Sequence, residues 1–430
     1  MNARLVLLLG AGVLAGCAAE DADGVPPRTD GPPHSELACD ADNGGLTLPD
    51  GFCAAVFADE VGALRHIAVA PDGRVYGALR TGGVVGLADS DGDGKADRRV
   101  EFGGEGGTGI SVRDGYLYFA TNDQVIRYRL GEQLEPTGEP ETMVGGFPAQ
   151  RTHAAKTIAF DGVGNLYVNV GAPSNACQER DRQQGAPGTD PCPQLELHAG
   201  VWRYDAGQPD QSHAAGNRYA TGIRNAVAIA WSDAAGSLFV VQHGRDQLNT
   251  IAPEHFSDED NAELPAEEFM KVGEGDDFGW PYCFYDQRQG KRVLAPEYGG
   301  DGREVGNCAS FAEPVETFPG HWAPNGLTFY DGDLFPERYR GGAFIAWHGS
   351  WNRAPLPQRG YRVTFVPLLG GEPSGEPETF ADGFAGAEPI SSPSDARWRP
   401  MGLAVAPNGS LYISDSQRGR VWRVVYRGEG

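Results

Sequence analysis

Lysine is nearly absent from this sequence. Only Lys95, Lys156, Lys271 and Lys291 occur among 35 basic residues, against 59 acidic ones and a net charge of −24. With no cluster of Lys and Arg to neutralise a phosphate backbone, the composition argues against nucleic acid as a partner. Most of the positive charge is Arg, which grips carboxylates through paired hydrogen bonds where Lys acts as a point charge. No cysteines stand in CxxC spacing, which argues against zinc and dithiol redox chemistry. There is no GxSxG elbow, which argues against a serine hydrolase. Sustained helical periodicity is missing, and the apolar run near the N-terminus is too short to span a bilayer.

Turn formers are plentiful instead: 62 Gly and 31 Pro among 430 residues, with apolar residues at 40%. That is a folded chain of many short strands, with a core large enough to stand without a cofactor. At the start, Arg4 and a short apolar run ending in Leu14-Ala15-Gly16-Cys17 read as a signal peptide over residues 1–16. Leu-Ala-Gly-Cys resembles the bacterial lipobox, so Cys17 is expected to be lipidated and the mature chain exported and anchored to the cell envelope. A plain signal peptide with a chance Cys is the alternative. Residues 17–45 are polar and proline-rich and read as a flexible tether, with the folded domain at 46–430. The six cysteines left after Cys17 form three near-neighbour couples. The expected disulfides are Cys39–Cys53, Cys177–Cys192 and Cys283–Cys308, with buried free thiols as the alternative.

One pattern recurs six times: an alternating apolar strand, a Gly/Asp/Asn turn, and a strand rich in Tyr, Phe and Val. The copies are residues 66–79, 109–121, 157–171, 228–244, 326–349 and 402–416. Further strands follow at 124–130, 200–206, 361–367 and 420–426. Period-two alternation about Asp-Gly and Asn-Gly turns is the hairpin signal, and repetition at such spacing indicates a propeller. The expectation is all-β: a six-bladed β-propeller of four-stranded antiparallel blades, its ring closed by the N-terminal strand 51–58. A β-sandwich pair is the competing fold. Long insertions at 173–199, 252–325 and 350–360 are expected on one face, as loops that shape a site.

Several residues sit where inner strands of a propeller would begin. His153 precedes the third; it is either a general base at the channel mouth or a hydrogen-bonded structural residue. Arg224 and Asn225 precede the fourth, and Arg397 and Arg399 the last. Arg397 and Arg399 should share one side of an extended segment. These arginines form either a positive funnel for an anion or surface ion pairs. Gly244 and Arg245 end a strand where backbone carbonyls would face a hard cation. The segment DSDGDGKAD offers Asp89, Asp91, Asp93 and Asp97 at calcium-loop spacing, although Val100 stands at the twelfth position and no helices flank it. It is a structural calcium loop or a solvated acidic turn.

Taken in order, HAAKTIAF, LYVNVG, TGIRNAVAIAW, FGWPYC, HGSWNR and RWRPMGLAVAPNGSLYISD resemble the glucose/sorbosone dehydrogenase family over residues 48–426. These are six-bladed propellers that use pyrroloquinoline quinone (PQQ) and calcium. The resemblance implies His153 as the base that takes a sugar hydroxyl proton while hydride passes to the quinone. It implies cofactor contacts from Arg224, Asn225, Arg397 and Arg399, and cofactor calcium on the carbonyls of Gly244 and Arg245. Three positions depart from the family pattern. Ala172 stands where an acid would orient the histidine, Arg245 replaces a proline, and the fifth unit lacks the cofactor-binding lysine, for which Arg353 is the expected electrostatic substitute. These departures point toward the sorbosone or pyranose-like branch. The implied activity is PQQ-dependent oxidation of a sugar, sugar-derived aldehyde or polyol, with electrons passing to a periplasmic acceptor. The alternatives are a non-catalytic propeller that binds carbohydrate or protein, and a lactonase-like hydrolase, for which no set of inward acidic ligands is seen.

Overall fold

Alternation about tight turns yields hairpins, and hairpins stacked side by side yield blades. The computed structural model describes Met1 and residues 37–428. The expected signal peptide, the expected lipidation site Cys17 and most of the expected tether lie outside the described residues. From the centre outward, blade one is Leu64–Val69, Val75–Leu79, Val84–Ala88 and Arg98–Phe102. Blade two is Gly107–Arg113, Tyr116–Thr121, Val125–Arg129 and Glu141–Gly145, with Gln211–Ser212 added in parallel at its outer edge. Blade three is Ile158–Phe160, Asn165–Val170, Gly200–Asp205 and Arg218–Thr221, and blade four is Ala228–Ser232, Ser237–Gln242, Glu267–Val272 and Glu316–Phe318. Blade five is Pro324–Phe329, Ala343–Trp347, Arg362–Val366 and Glu378–Ala381. Blade six takes Pro400–Val405, Leu411–Asp415 and Val421–Tyr426 from the C-terminal end, and Phe52–Ala58 as its outermost strand. That last strand pairs antiparallel with Val421–Tyr426, Phe52 opposite Tyr426, and so closes the ring. The six-bladed propeller and its mode of closure are as the sequence pattern predicts.

Inner strands touch their neighbours around the ring, which requires small residues at the contacts. A Cβ on Gly402 would lie 2.7 Å from His66 Cα, so the Gly that opens the last repeat lets blade six meet blade one. Between the blades the core is aromatic. Phe52, Phe335, Tyr339, Phe344 and Phe380 pack edge-on and stacked between blades five and six. Each such ring contributes on the order of 2 kcal/mol by leaving water.

Two expectations need correction. The span 252–325 is not wholly an insertion, because it contains the outer two strands of blade four. The tether also ends sooner than residue 45: Leu37 is buried, and Trp422 Nε1 donates to the Gly44 carbonyl at 3.1 Å. The disulfides are the three expected, Cys39–Cys53, Cys177–Cys192 and Cys283–Cys308. The insertions meet at the channel mouth, where Gly188 N–H donates to the Glu297 carbonyl at 2.8 Å and Tyr282 Oη accepts from Cys192 N–H at 2.9 Å.

Candidate active site

His153 stands just ahead of the inner strand of blade three, with its backbone in the left-handed region at φ 52°. A non-glycine residue there is strained, and its surroundings hold it in place. The Gln150 side-chain amide donates to the carbonyls of Thr152, His153 and Gly171 at 2.8–3.0 Å, tying the turn to the strand end. Gly171 is needed for this packing, since a Cβ there would lie 2.7 Å from both His153 Cβ and Asn225 Oδ1. His153 Nδ1 lies 2.7 Å from the Ala172 carbonyl oxygen. A carbonyl only accepts, so Nδ1 carries the proton and Nε2 presents its lone pair. A backbone oxygen of Ala172 thus holds the ring at the position where the resemblance implies a side-chain acid. Burial and the Arg224 cation push His153 down to about 3, so the imidazole is neutral.

Arg224 and Asn225 occupy the corresponding position before blade four. Arg224 is 2% exposed, and its guanidinium donates to Asp246 Oδ2 and the Gly244 carbonyl, both at 2.8 Å. Asp246 also accepts from Arg182 Nη2 and from Asn352 Nδ2, each at 2.8 Å. Burial alone would raise the Asp246 carboxyl, but Arg224, His321 and Arg182 hold it far below the usual range. One carboxylate thus ties three loops to the Arg224 head group. Asn225 Oδ1 is buried without a partner beside His153.

Glu267 is 2% exposed and accepts from the N–H groups of Gly244 and Ala323. Burial pushes its carboxyl up to about 8. The Gly244 carbonyl accepts from the Arg224 guanidinium, and the Arg245 side chain forms a buried ion pair with Glu297.

Three more histidines line the mouth. His66 Nε2–H donates to the Asn325 carbonyl at 2.6 Å and His243 Nε2–H to the Pro324 carbonyl at 2.9 Å, so the two join blades one and four to blade five and form a floor across the channel. His348 Nε2 pairs with Ser416 Oγ at 2.6 Å. Burial lowers all three, His66 and His243 to about 4.

The Arg-Trp-Arg expectation fails by half. Arg399 is half-buried at the mouth and donates to the carbonyls of His348 and Gly349. Arg397 is exposed and lies over the buried Trp398 ring, 4.1 Å from its centroid, which draws it to the surface. Arg353 is also misassigned. It is 1% exposed and donates to the carbonyls of Pro357, Ala262 and Gly320 and to Glu263, so it holds loops together and has no charge to offer a ligand. In the acidic loop, Asp89, Asp91 and Asp93 each bring a carboxylate oxygen within 4.8 Å of the others. Asp97 does not join them but accepts from Ser90 N–H at 2.9 Å.

Sequence reasoning missed Glu267, Arg182 and Arg65. Arg65 had a usable signal: like Arg224 and Arg399, it stands where an inner strand begins.

A propeller whose mouth gathers a neutral histidine, an Arg-Asn pair and a further arginine has recognisable relatives. A family model described as TrAA12-like matches residues 46–427. The chain belongs to the TrAA12-like family. Among solved structures similar to this TrAA12-like chain is a calcium structure of the Trichoderma reesei carbohydrate-active enzyme of family AA12, 18% identical, covering 90% of this chain and 97% of that one at a TM-score of 0.72. Another is the holo form of the PQQ domain of pyranose dehydrogenase from Coprinopsis cinerea, 19% identical over 88% and 97% of the two chains, TM-score 0.70. These likenesses establish the fold. A PQQ-dependent pyranose dehydrogenase of Coprinopsis cinerea is 25% identical over 228 residues, 47% of this chain and 30% of that protein. An uncharacterized protein of Borreliella burgdorferi is 28% identical over 210 residues, 48% of each chain. The matched part thus spans half or less of these curated relatives.

Proposed function

We infer that this TrAA12-like protein is a PQQ-dependent dehydrogenase of a sugar or sugar-derived aldehyde, with His153 as general base. The observation that carries the reading is the fixed tautomer of His153: the Ala172 carbonyl holds Nδ1–H and leaves Nε2 as an acceptor at the channel mouth. The residues present fit PQQ, a planar quinone with three carboxylates. Asn225 Oδ1 is a buried polar atom without a partner, and Arg399 is a half-buried cation whose guanidinium meets only carbonyl oxygens among the described residues. Asn225 and Arg399 would hold the cofactor, while Arg224, its N–H groups already taken by Asn175, His243, Gly244 and Asp246, would shape the wall beside it. Calcium would take the carbonyls of Gly244 and Arg245 beside the ionised Asp246 carboxylate, oxygen ligands that suit a hard cation. When bound, PQQ supplies a two-electron acceptor for hydride.

The chain's own part is acid–base work. His153 Nε2 takes the proton of a substrate hydroxyl or hydrated carbonyl, and Nδ1–H keeps the ring aimed through Ala172. The imidazolium so formed is disfavoured by Arg224, and anionic charge at the mouth would offset that penalty. The alternative, a binding propeller without catalysis, rests partly on Ala172, and the Ala172 carbonyl on Nδ1 supports the catalytic reading instead. Export and lipid anchoring at Cys17 remain part of the proposal, and three disulfides accord with an oxidising compartment.

The test is reconstitution of the purified protein with PQQ and calcium, followed by dye reduction with a panel of aldoses and aldehydes. We expect His153→Ala to retain PQQ uptake and lose about 10²–10⁴-fold in turnover. Absence of PQQ uptake by the unmodified protein overturns the function, and full activity of the variant overturns the role of His153.

A further inference from the structure

Blades two and three follow one pattern, and they differ at a buried tyrosine. Tyr128 and Tyr204 each follow an arginine on the third strand, and each stands opposite the leucine of a Leu-Tyr pair, Leu117 and Leu166. The Tyr204 hydroxyl meets His213 Nδ1 at 2.8 Å, and His213 Nε2–H donates to the Leu197 carbonyl at 3.0 Å. Other buried tyrosines are also satisfied: Tyr76 donates to the Leu134 carbonyl and Tyr118 to the Ala206 carbonyl. Tyr128 is only 8% exposed, yet its hydroxyl has no partner among the described residues. It comes out instead at a cavity of about 370 Å³ on the seam of blades one and two, outward of their inner strands.

That volume is within the range of small-ligand sites, about 300–1,000 Å³. The buried side chains of Phe102, Phe119 and Ile126 make an apolar floor, and the exposed Glu105, Glu135 and Glu139 stand around it. Neither Lys nor Arg lines the cavity, and none of the three carboxylates has a basic partner among the described residues. The nearby Glu141 differs, being paired with Arg127 Nε at 2.7 Å. Burial, with the charges of Glu139 and Glu105, pushes the Tyr128 phenol above its usual value, so it stays an O–H at neutral pH and has both carboxylates for neighbours. Gly103 keeps the place open: its φ is 74°, and a Cβ there would lie 2.9 Å from the Tyr128 hydroxyl. Where blade three supplies an imidazole nitrogen of its own, blade two presents an unfilled hydroxyl beside negative charge and aromatic rings. A nitrogen cation answers all three, through N–H donors, charge and contact with the ring faces.

We propose that the seam of blades one and two is a binding site for a small organic cation, an ammonium, amidinium or guanidinium group on a short apolar body. The Tyr128 hydroxyl and the carboxylates of Glu105 and Glu139 take the head, and Phe102, Phe119 and Ile126 take the body. The site stands apart from the channel mouth and does not depend on the function inferred above.

The experiment titrates the purified protein by calorimetry at physiological salt with benzamidine, an amidinium on an aromatic ring, and with benzamide, its uncharged counterpart. Benzamidine should bind one site per chain with a Kd of about 0.1–1 mM, and benzamide about 10-fold or more weakly. Glu139→Gln and Tyr128→Phe should each weaken benzamidine by about 5- to 10-fold, and Glu105→Gln combined with Glu139→Gln by more. Glu376→Gln, which removes an exposed carboxylate from blade five, should leave the affinity unchanged. Because Glu105 and Glu139 are on the surface, their variants decide the matter even if Tyr128→Phe fails to fold. Absence of saturable benzamidine binding overturns the proposal. So does benzamide binding equally well, or a benzamidine affinity that the double glutamate variant leaves undiminished.

Discussion

Lowering the pH from 7 toward 4.5 acts on the channel mouth before ordinary carboxylates protonate. In the folded protein His66 and His243 titrate near 4 and His153 near 3, against 6.5 for an unperturbed histidine. Their folded values are depressed, so their contribution to stability is complete above 6.5 and is lost as the pH falls. Glu267 opposes them. Its value is raised from 4.5 to about 8, so its contribution is complete below 4.5 and is lost as the pH rises toward 8. Counting His348, which burial also holds low, four histidines against one glutamate leave three protons taken up on unfolding between 4.5 and 6.5. At about 1.4 kcal/mol per proton and pH unit, halved because the rings keep some contact with channel solvent, stability should fall by about 2 kcal/mol per unit on acidification. Above 6.5 only the Glu267 term remains of these five, and stability declines gently toward 8. Urea unfolding followed by tryptophan fluorescence at pH 5, 6, 7 and 8 should therefore show a maximum near 6.5. Glu267→Gln should remove the alkaline decline and steepen the acid limb. A flat profile between 5 and 6.5, or an alkaline limb untouched by Glu267→Gln, would refute the reasoning.

Two further substitutions probe how the site is held. Asp246→Asn keeps the shape of the side chain but leaves Arg224, 2% exposed, without its carboxylate, and should lower stability by about 3 kcal/mol in urea unfolding. An unchanged midpoint would show that the carbonyls around Arg224 suffice. Gly171→Ala pushes a methyl to within 2.7 Å of His153 Cβ and Asn225 Oδ1, so His153 must shift. Turnover should fall by about 10²-fold for a stability loss of about 1–3 kcal/mol. A lower Tm with kcat intact would mean that the placement of His153 does not limit the reaction.

The sequence carried the scaffold well because the scaffold is local. Asp-Gly and Asn-Gly turns fix hairpins between neighbouring residues, and the disulfide partners lie 14 to 25 residues apart. The site was legible where a side chain at a strand start did the work, as with His153, Arg224 and Asn225. It was not legible where a backbone atom or a distant loop did. The orienter of His153 is the Ala172 carbonyl, which a scan of side chains cannot find. Arg353 is consumed by carbonyls up to 91 residues away. Arg397 and Arg399 were assigned together because alternate residues of an extended segment share a side, but the Trp398 ring between them captured one guanidinium.

Ring closure has a bearing on when this protein can fold. The outermost strand of blade six, Phe52–Ala58, waits for Val421–Tyr426, nearly the whole length of the chain later. During translation the first five blades emerge and can form their local hairpins, but the cylinder stays open, with an unpaired edge at each end, until the last strand leaves the ribosome. A polypeptide with that order of events remains threadable through a membrane channel for almost its entire synthesis, and its native contacts lock only after both ends have arrived on the same side.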